Sequence, residues 1–222
     1  MGDVEGYHYV KINPVDIITS SFDSKAGTWD DDPQKILRAK KVANLIRPLL
    51  PKGDVLKGME YGCGTGLLSF ELANDIGSVC LADTSVGMLD VLQEKISATG
   101  ISNFSAVLLD LTNTLGESSR QLDVIYSLMT LHHIADTAAI LGQFFYHLRP
   151  GGKLLLADLD QEDGSFHPEG TTGIHNGFER GELTRAAKSA GFDAINFYDA
   201  FVIAKNNRNY PVFLFEATKV VQ

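Results

Sequence analysis

Residues 60–66 read Glu60-Tyr61-Gly62-Cys63-Gly64-Thr65-Gly66 and follow the largely apolar run Val55-Leu56-Lys57-Gly58-Met59. A strand that ends in an acid and then turns through three alternating glycines is suited to holding a small charged ligand. Glycine admits φ > 0 and lets backbone approach a ligand with no Cβ in the way. A helix opening near Gly66 would point its free N–H groups into the same space. The spacing is Gly-x-Gly-x-Gly, and the third glycine of the dinucleotide fingerprint Gly-x-Gly-x-x-Gly falls on Leu67. Glu60 suits an ammonium group and is poorly placed for a pyrophosphate. The combination favours S-adenosylmethionine over NAD. Glycine turns between strand and helix also serve plain packing, so the reading depends on what the other strand ends carry.

Those ends carry Glu60, Asp83, Asp110, Ser127 and Asp158, four acids in five positions. Ligands of open α/β sheets bind beyond the carboxyl ends of the strands, and an acid about 20 residues after the glycine loop is placed for a ribose diol. Asp83 meets that spacing. Asp110, one strand further, is placed to accept from an exocyclic amine while the next backbone N–H donates to the ring. Candidates for proton transfer are His132 and His133, just past the fourth strand, and His175, in His175-Asn176-Gly177-Phe178. Each histidine has an alternative role as a helix cap or loop filler. The spacing of His132, His133, Asp158 and His175 matches no metal-ligand motif, so no metal is expected.

Positioning these groups requires alternating strands and helices, which predict a parallel sheet covered on both faces. Asp32-Pro33 supplies a helix N-cap and N1 proline, with Ile36, Val42, Ala43, Ile46 and Leu49 at helical spacing before Pro51. Strands are expected at 55–60, 79–82, 105–109, 122–126 and 153–157, with helices at 66–75, from Ser85 to about Thr99, and near 137–148. Arg149-Pro150-Gly151-Gly152 reads as a turn. A polar, glycine-rich stretch runs to about Gly177, then a helix at 180–190 ends at Gly191. The last two strands, near 194–204 and 210–218, are separated by Lys205–Asn209, short enough for an antiparallel hairpin.

At 222 residues the chain has room for one domain. The expected division is an N-terminal lid segment over 1–32 and a single domain over 33–222, with 159–178 as an insertion on the acceptor side. A formal net charge of −9 repels a phosphate backbone, and the Lys and Arg residues are scattered. Nucleic acid is therefore not the expected partner. No apolar run reaches membrane-spanning length, and two cysteines, Cys63 and Cys80, read as reduced thiols of a cytoplasmic protein.

Glu60–Gly66, Asp83-Thr84-Ser85 with Met88, Leu109-Asp110-Leu111 and Leu148–Lys153 together resemble the class I S-adenosylmethionine-dependent methyltransferases, in the small-molecule group that includes the ubiquinone-biosynthesis type. The resemblance runs from about residue 20 to the C-terminus. It implies a Rossmann-like α/β fold: a seven-stranded, mostly parallel sheet with an antiparallel last strand and helices on both faces. It implies Gly62, Cys63 and Gly64 against the methionine moiety with Glu60 near its amino group, Asp83 and Thr84 at the ribose, and Met88 against the adenine. Asp110 would meet the adenine amine with Leu111 as backbone donor, while Ser127 and Leu128 would line the pocket floor. Phe22–Asp30 looks like the family's lid, with Phe22 or Trp29 over the reacting centre; Trp29 equally suits docking of the first helix. Lys57 and Gly58 depart from the usual apolar first strand, and Tyr61 from the usual small or apolar residue.

The acceptor is expected to be a small molecule. Ser127-Leu128-Met129-Thr130 stands where enzymes acting on adenine amines or glutamine amides carry Pro-Pro-aromatic. Two other readings remain open at this point: a non-catalytic subunit that keeps the cofactor pocket, and a nicotinamide-dependent dehydrogenase, which the glycine spacing disfavours.

Overall fold

The computed structural model describes residues 21–53, 55–111 and 121–220. Residues 1–20 of the expected lid segment lie outside the described residues. Seven strands form one sheet in the order β3-β2-β1-β4-β5-β7-β6. They are β1 (Lys57–Tyr61), β2 (Ser78–Asp83), β3 (Phe104–Leu108), β4 (Leu122–Leu128), β5 (Leu148–Leu159), β6 (Phe192–Lys205) and β7 (Arg208–Lys219). The pairs among β1 to β5 are parallel, and β7 is antiparallel to both neighbours. The expected single reversed strand is thus the one observed.

The helices are α1 (Pro33–Ile46), α2 (Leu67–Glu71), α3 (Val86–Thr99), α4 (Thr137–His147) and α5 (Arg180–Ser189). Period-2 alternation along the central strands divides their side chains between two apolar clusters. Val124, Tyr126, Leu155 and Leu214 pack with α1, α2 and α3, whereas Ile125, Leu154, Leu156 and Phe213 pack with α4 and α5. Asp32 caps α1 by accepting from Gln34 N–H, and Ser85 caps α3 by accepting from Met88 N–H, as the sequence predicts.

Four boundaries differ from expectation. β1 starts at Lys57, and Gly58 lies inside it because an added Cβ would stand 3.1 Å from Ile76 Cγ2. α2 stops at Glu71 rather than running to 75: Arg47 donates to Glu71 O and Asn103 to Ala73 O and Ile76 O, so side chains satisfy carbonyls that further helix would have used. The Arg149–Gly152 turn is an irregularity within β5, where the register with β4 shifts. The hairpin turn narrows to Asn206-Asn207, both with positive φ, a conformation asparagine tolerates.

Strand order reverses between β1 and β4, which flank each other with their helices on opposite faces. The crevice beyond their carboxyl ends is therefore where an open α/β sheet takes its ligand.

Candidate active site

The glycine loop leaves β1 held by Ala82 O of the neighbouring strand, which accepts from Gly62 N–H at 2.8 Å and Cys63 N–H at 3.1 Å. Gly62 and Gly64 both have positive φ, but for different reasons. A Cβ on Gly62 would lie 2.2 Å from Thr130 Cγ2, so its bareness lets the loops after β1 and β4 meet across the crevice. A Cβ on Gly64 would find only Met88 Sδ at 3.9 Å and Trp29 Nε1 at 4.0 Å. Its bare face opens onto a space edged by a thioether and an indole rather than onto packed side chains.

Asp83, at the end of β2, accepts from Gly64 N–H at 2.7 Å through Oδ2 and from Ser85 N–H at 2.9 Å through Oδ1. Burial raises its carboxyl above the usual range, while the Ser85 and Gly64 donors work the other way. The Thr84 N–H also donates to this carboxylate, which keeps acceptor capacity for a hydroxyl donor. Met88, in the first turn of α3, is buried. Beyond β3, Tyr61 hydrogen-bonds with the Asp110 carboxylate and accepts from Leu111 N–H at 3.2 Å. The Leu111 donor expected to face an adenine is therefore engaged by a phenol, a consequence of the unusual residue at position 61.

Glu60 also has a different neighbourhood from the one expected. It is 2% exposed, and its Oε2 accepts from Ser69 N–H at 3.1 Å and from Ser69 Oγ, which in turn meets Tyr126 Oη at 2.6 Å. Burial pushes its carboxyl up to about 8 despite the Ser69 hydrogen bonds. In this packing the acid is largely protonated at neutral pH and ties β1 to α2 through Ser69.

The described part of the N-terminal segment lies over the glycine loop and is pinned by two aspartates. Asp23 Oδ1 accepts from Ser85 Oγ at 2.5 Å and Gly87 N–H at 3.0 Å, at the N-terminus of α3. Asp30 accepts from Thr65 Oγ1 at 2.5 Å and Lys95 Nζ at 2.7 Å. Phe22 stands edge-on to both Trp29 and His133 at 5.8 and 5.3 Å between ring centroids. Trp29 also receives Lys35 Nζ over its ring at 3.9 Å, so it docks the segment on α1 as well.

Past β4 the backbone is strained: Met129 has φ +59° and donates its N–H to Ala157 O. Ser127 is buried and Leu128 half-buried at this end. The following turn, Leu131–His133, puts His132 against Asp158 at the end of β5. His132 Nδ1 is 2.6 Å from Asp158 Oδ1, and both residues are 1% exposed. Burial works against charge on Asp158, but His132 and the N–H donors of Leu159 and His132 outweigh it and hold the carboxyl below its usual range.

His133 tilts on His132 at 4.1 Å, and His167 stands 5.2 and 5.3 Å from the two rings. Burial, reinforced by the neighbouring imidazoles, lowers His133 to about 3 and His167 to about 4. His175 does not join them. Its Nε2 meets Ile134 O at 3.0 Å and Thr137 Oγ1 at 3.2 Å, and its N–H donates to His132 O, so it braces the turn ahead of α4. His167 escaped the sequence reading. It lies in the glycine-rich stretch, 34 positions after His133, and its one visible signal was membership of the 159–178 segment. Asp160, paired with Arg180, anchors the base of that segment, and Glu162 Oε2 gathers Ser165 and Phe166 N–H groups just before His167.

Residues 59–154 match the family described as methyltransferase domain. The chain is 28% identical over 165 residues to an uncharacterized methyltransferase of Schizosaccharomyces pombe, covering 68% of this chain and 56% of that protein. It is 29% identical over 145 residues to the ubiquinone biosynthesis O-methyltransferase of Xylella fastidiosa, covering 64% and 58%. With phosphoethanolamine N-methyltransferase 1 of Zea mays it shares 31% over 145 residues, covering 63% and 28%. The chain thus spans little more than half the length of the first two relatives and about a quarter of the third. Among solved structures, a SAM-dependent methyltransferase of Aquifex aeolicus has TM-score 0.66 at 16% identity, covering 91% of this chain and 98% of that one. The [4+2]-cyclase SpnF has TM-score 0.69 at 15% identity, covering 82% of each. Such distant neighbours speak for the fold alone, and one fold hosts several chemistries. In motif order, in sequence over residues 59–154 and in sheet topology, this chain is similar to the class I S-adenosylmethionine-dependent methyltransferases.

Proposed function

We propose that this protein transfers a methyl group from S-adenosylmethionine to a small-molecule acceptor. The observation that carries the reading is the bare face of Gly64, edged by Met88 and Trp29 and backed by the Asp83 carboxylate. In this reading Asp83 and Thr84 take the ribose hydroxyls, Met88 packs against the adenine, and Asp110 receives the adenine amine beside the Tyr61–Leu111 contact. Gly62, Cys63 and Gly64 contact the methionine moiety, and Ser127 and Leu128 form the floor. Glu60 acts through Ser69, holding the loop and α2 in place.

Methyl transfer from a sulfonium is an in-line displacement with a reactive donor, so alignment and exclusion of water supply most of the catalysis. The Phe22–Trp29 edge, pinned by Asp23 and Asp30, is the part of this chain that covers the loop. The names of the O- and N-methyltransferase relatives and the acidic charge favour a small acceptor over a nucleic acid. We assign acceptor choice to residues 1–21 and 159–178, and the acceptor end of the site to His132 and His133. No described helix is long and apolar enough to cross a membrane, and both cysteines are free, which suits a reducing, cytoplasmic setting.

Calorimetric titration with S-adenosylmethionine, S-adenosylhomocysteine and NAD tests the cofactor. Micromolar binding of the two adenosyl compounds and none of NAD is expected; the reverse pattern would restore the dehydrogenase reading. Transfer of labelled methyl to a panel of hydroxyl and amine acceptors then separates an enzyme from a cofactor-binding subunit.

A further inference from the structure

We propose that His132, His133 and His167 are the protein ligands of a single divalent transition-metal ion of the zinc class at the acceptor end of the site. One ligand atom from each of the three side chains lies within 4.8 Å of the other two. His133 Nδ1 and His167 Nε2 are shut off from solvent and have no hydrogen-bond partner. Closing two imidazole nitrogens away from water without partners costs free energy that ring packing does not return. The edge contacts with Phe22 and Phe166 account for the ring faces but not for these nitrogens.

His132 completes the set. Its Nδ1 is engaged by Asp158 at 2.6 Å, which leaves Nε2 to carry a ligating lone pair. A carboxylate behind a histidine is the arrangement that fixes tautomer and ring orientation in metal centres. Around a tetrahedral ion with bonds near 2.05 Å, ligand nitrogens stand about 3.3 Å apart, so rotations of these side chains that move the nitrogens by about 1 Å complete the geometry. Imidazole donors suit zinc, cobalt and nickel better than magnesium or calcium.

Three protein ligands leave a fourth position free, the pattern of catalytic rather than structural zinc sites. The purpose assigned to that position rests on the methyl-transfer reading; the site itself does not. An acceptor hydroxyl bound there loses its proton to solvent more readily, and its oxygen attacks the methyl carbon as the carbon–sulfur bond breaks. The products are the methyl ether, the neutral thioether and one proton.

The test uses the full chain, stripped with chelator, titrated with Zn²⁺ by calorimetry and with Co²⁺ by visible absorption. One ion per chain with the absorption bands of four-coordinate cobalt is expected. His133→Phe and His167→Phe, which keep a packed ring, should each weaken binding roughly 100-fold or more. S-adenosylmethionine affinity, measured in chelator, reports that each variant is folded. Absence of saturable binding of both ions, or equal affinity in the His133→Phe/His167→Phe double variant, overturns the proposal. Metal binding intact in a wild-type chain that binds no adenosyl compound supports the metal site and removes the methyl-transfer reading.

Discussion

The ends of β1, β2 and β3 and the ends of β4 and β5 lie side by side along one sheet edge but are built from different materials. The first region is mostly backbone: three glycines, the N–H groups of Gly64 and Ser85, and one carboxylate receiving both. Its parts follow one another at fixed spacing, because each belongs to a strand–loop–helix unit. The second region is made of side chains brought together from distant positions. Asp158 reaches His132 across 26 residues, and His167 arrives in a loop held by Arg180. Under the proposed methyl transfer, the backbone-built region would grip the cofactor and the side-chain region would meet the acceptor.

The contrast can be broken within the glycine loop itself. Gly62→Ala drives a methyl group into Thr130 at a residue already at φ +69°. It should lower stability by about 3 kcal/mol, seen as a fall in thermal midpoint that Thr130→Ala partly restores. Gly64→Ala shares the strained φ but meets no clash, so its stability loss should be smaller and its loss of cofactor affinity larger. Equal thermal midpoints for the two variants would undo the distinction between a packing glycine and a ligand-facing one.

Asp83→Ala should weaken cofactor binding roughly 100-fold, from two charge-assisted hydrogen bonds worth about 1.5 kcal/mol each. Circular dichroism should show the fold kept. Unchanged affinity would remove the ribose assignment. For the N-terminal segment, Asp30→Ala releases Lys95 and Thr65 and should cost a fewfold in affinity with little change in stability, since its ion pair is partly exposed.

Glu60 sharpens the comparison through pH. Its folded pKa, about 8, lies above the ordinary 4.5, so between those values the native state holds more of this proton than the unfolded chain. Stability from this group is present below about pH 4.5 and is lost as pH rises through about 8. Denaturant unfolding at several pH values should show Glu60→Gln losing less stability than wild type over that range. An identical slope in both would mean that Glu60 is ionised in the fold. His175→Ala, at the smallest end, should cost about 1 kcal/mol of stability through the unbraced turn before α4, with methyl transfer close to wild type.

Fold and site were legible to different depths. Local rules were enough for the caps at Asp32 and Ser85, the strand-end acids and the single reversed strand, because each depends on residues a few positions apart. The same rules misjudged α2, whose end is set by Arg47 and Asn103 from other elements. They also grouped His175 with His132 and His133, since nothing local distinguishes a histidine that braces carbonyls from one that stacks on an imidazole.

The amino-acid order by itself determined the glycine loop, the alternation that builds a two-faced parallel sheet, and the cofactor class, because these rest on backbone conformation and short-range periodicity. Tertiary structure alone decided that Glu60 is buried against Ser69, that Tyr61 occupies the Leu111 donor, and that His167 rather than His175 joins His132 and His133. Burial and long-range contact set the protonation and partners of these side chains, and neither quantity exists until the chain is packed.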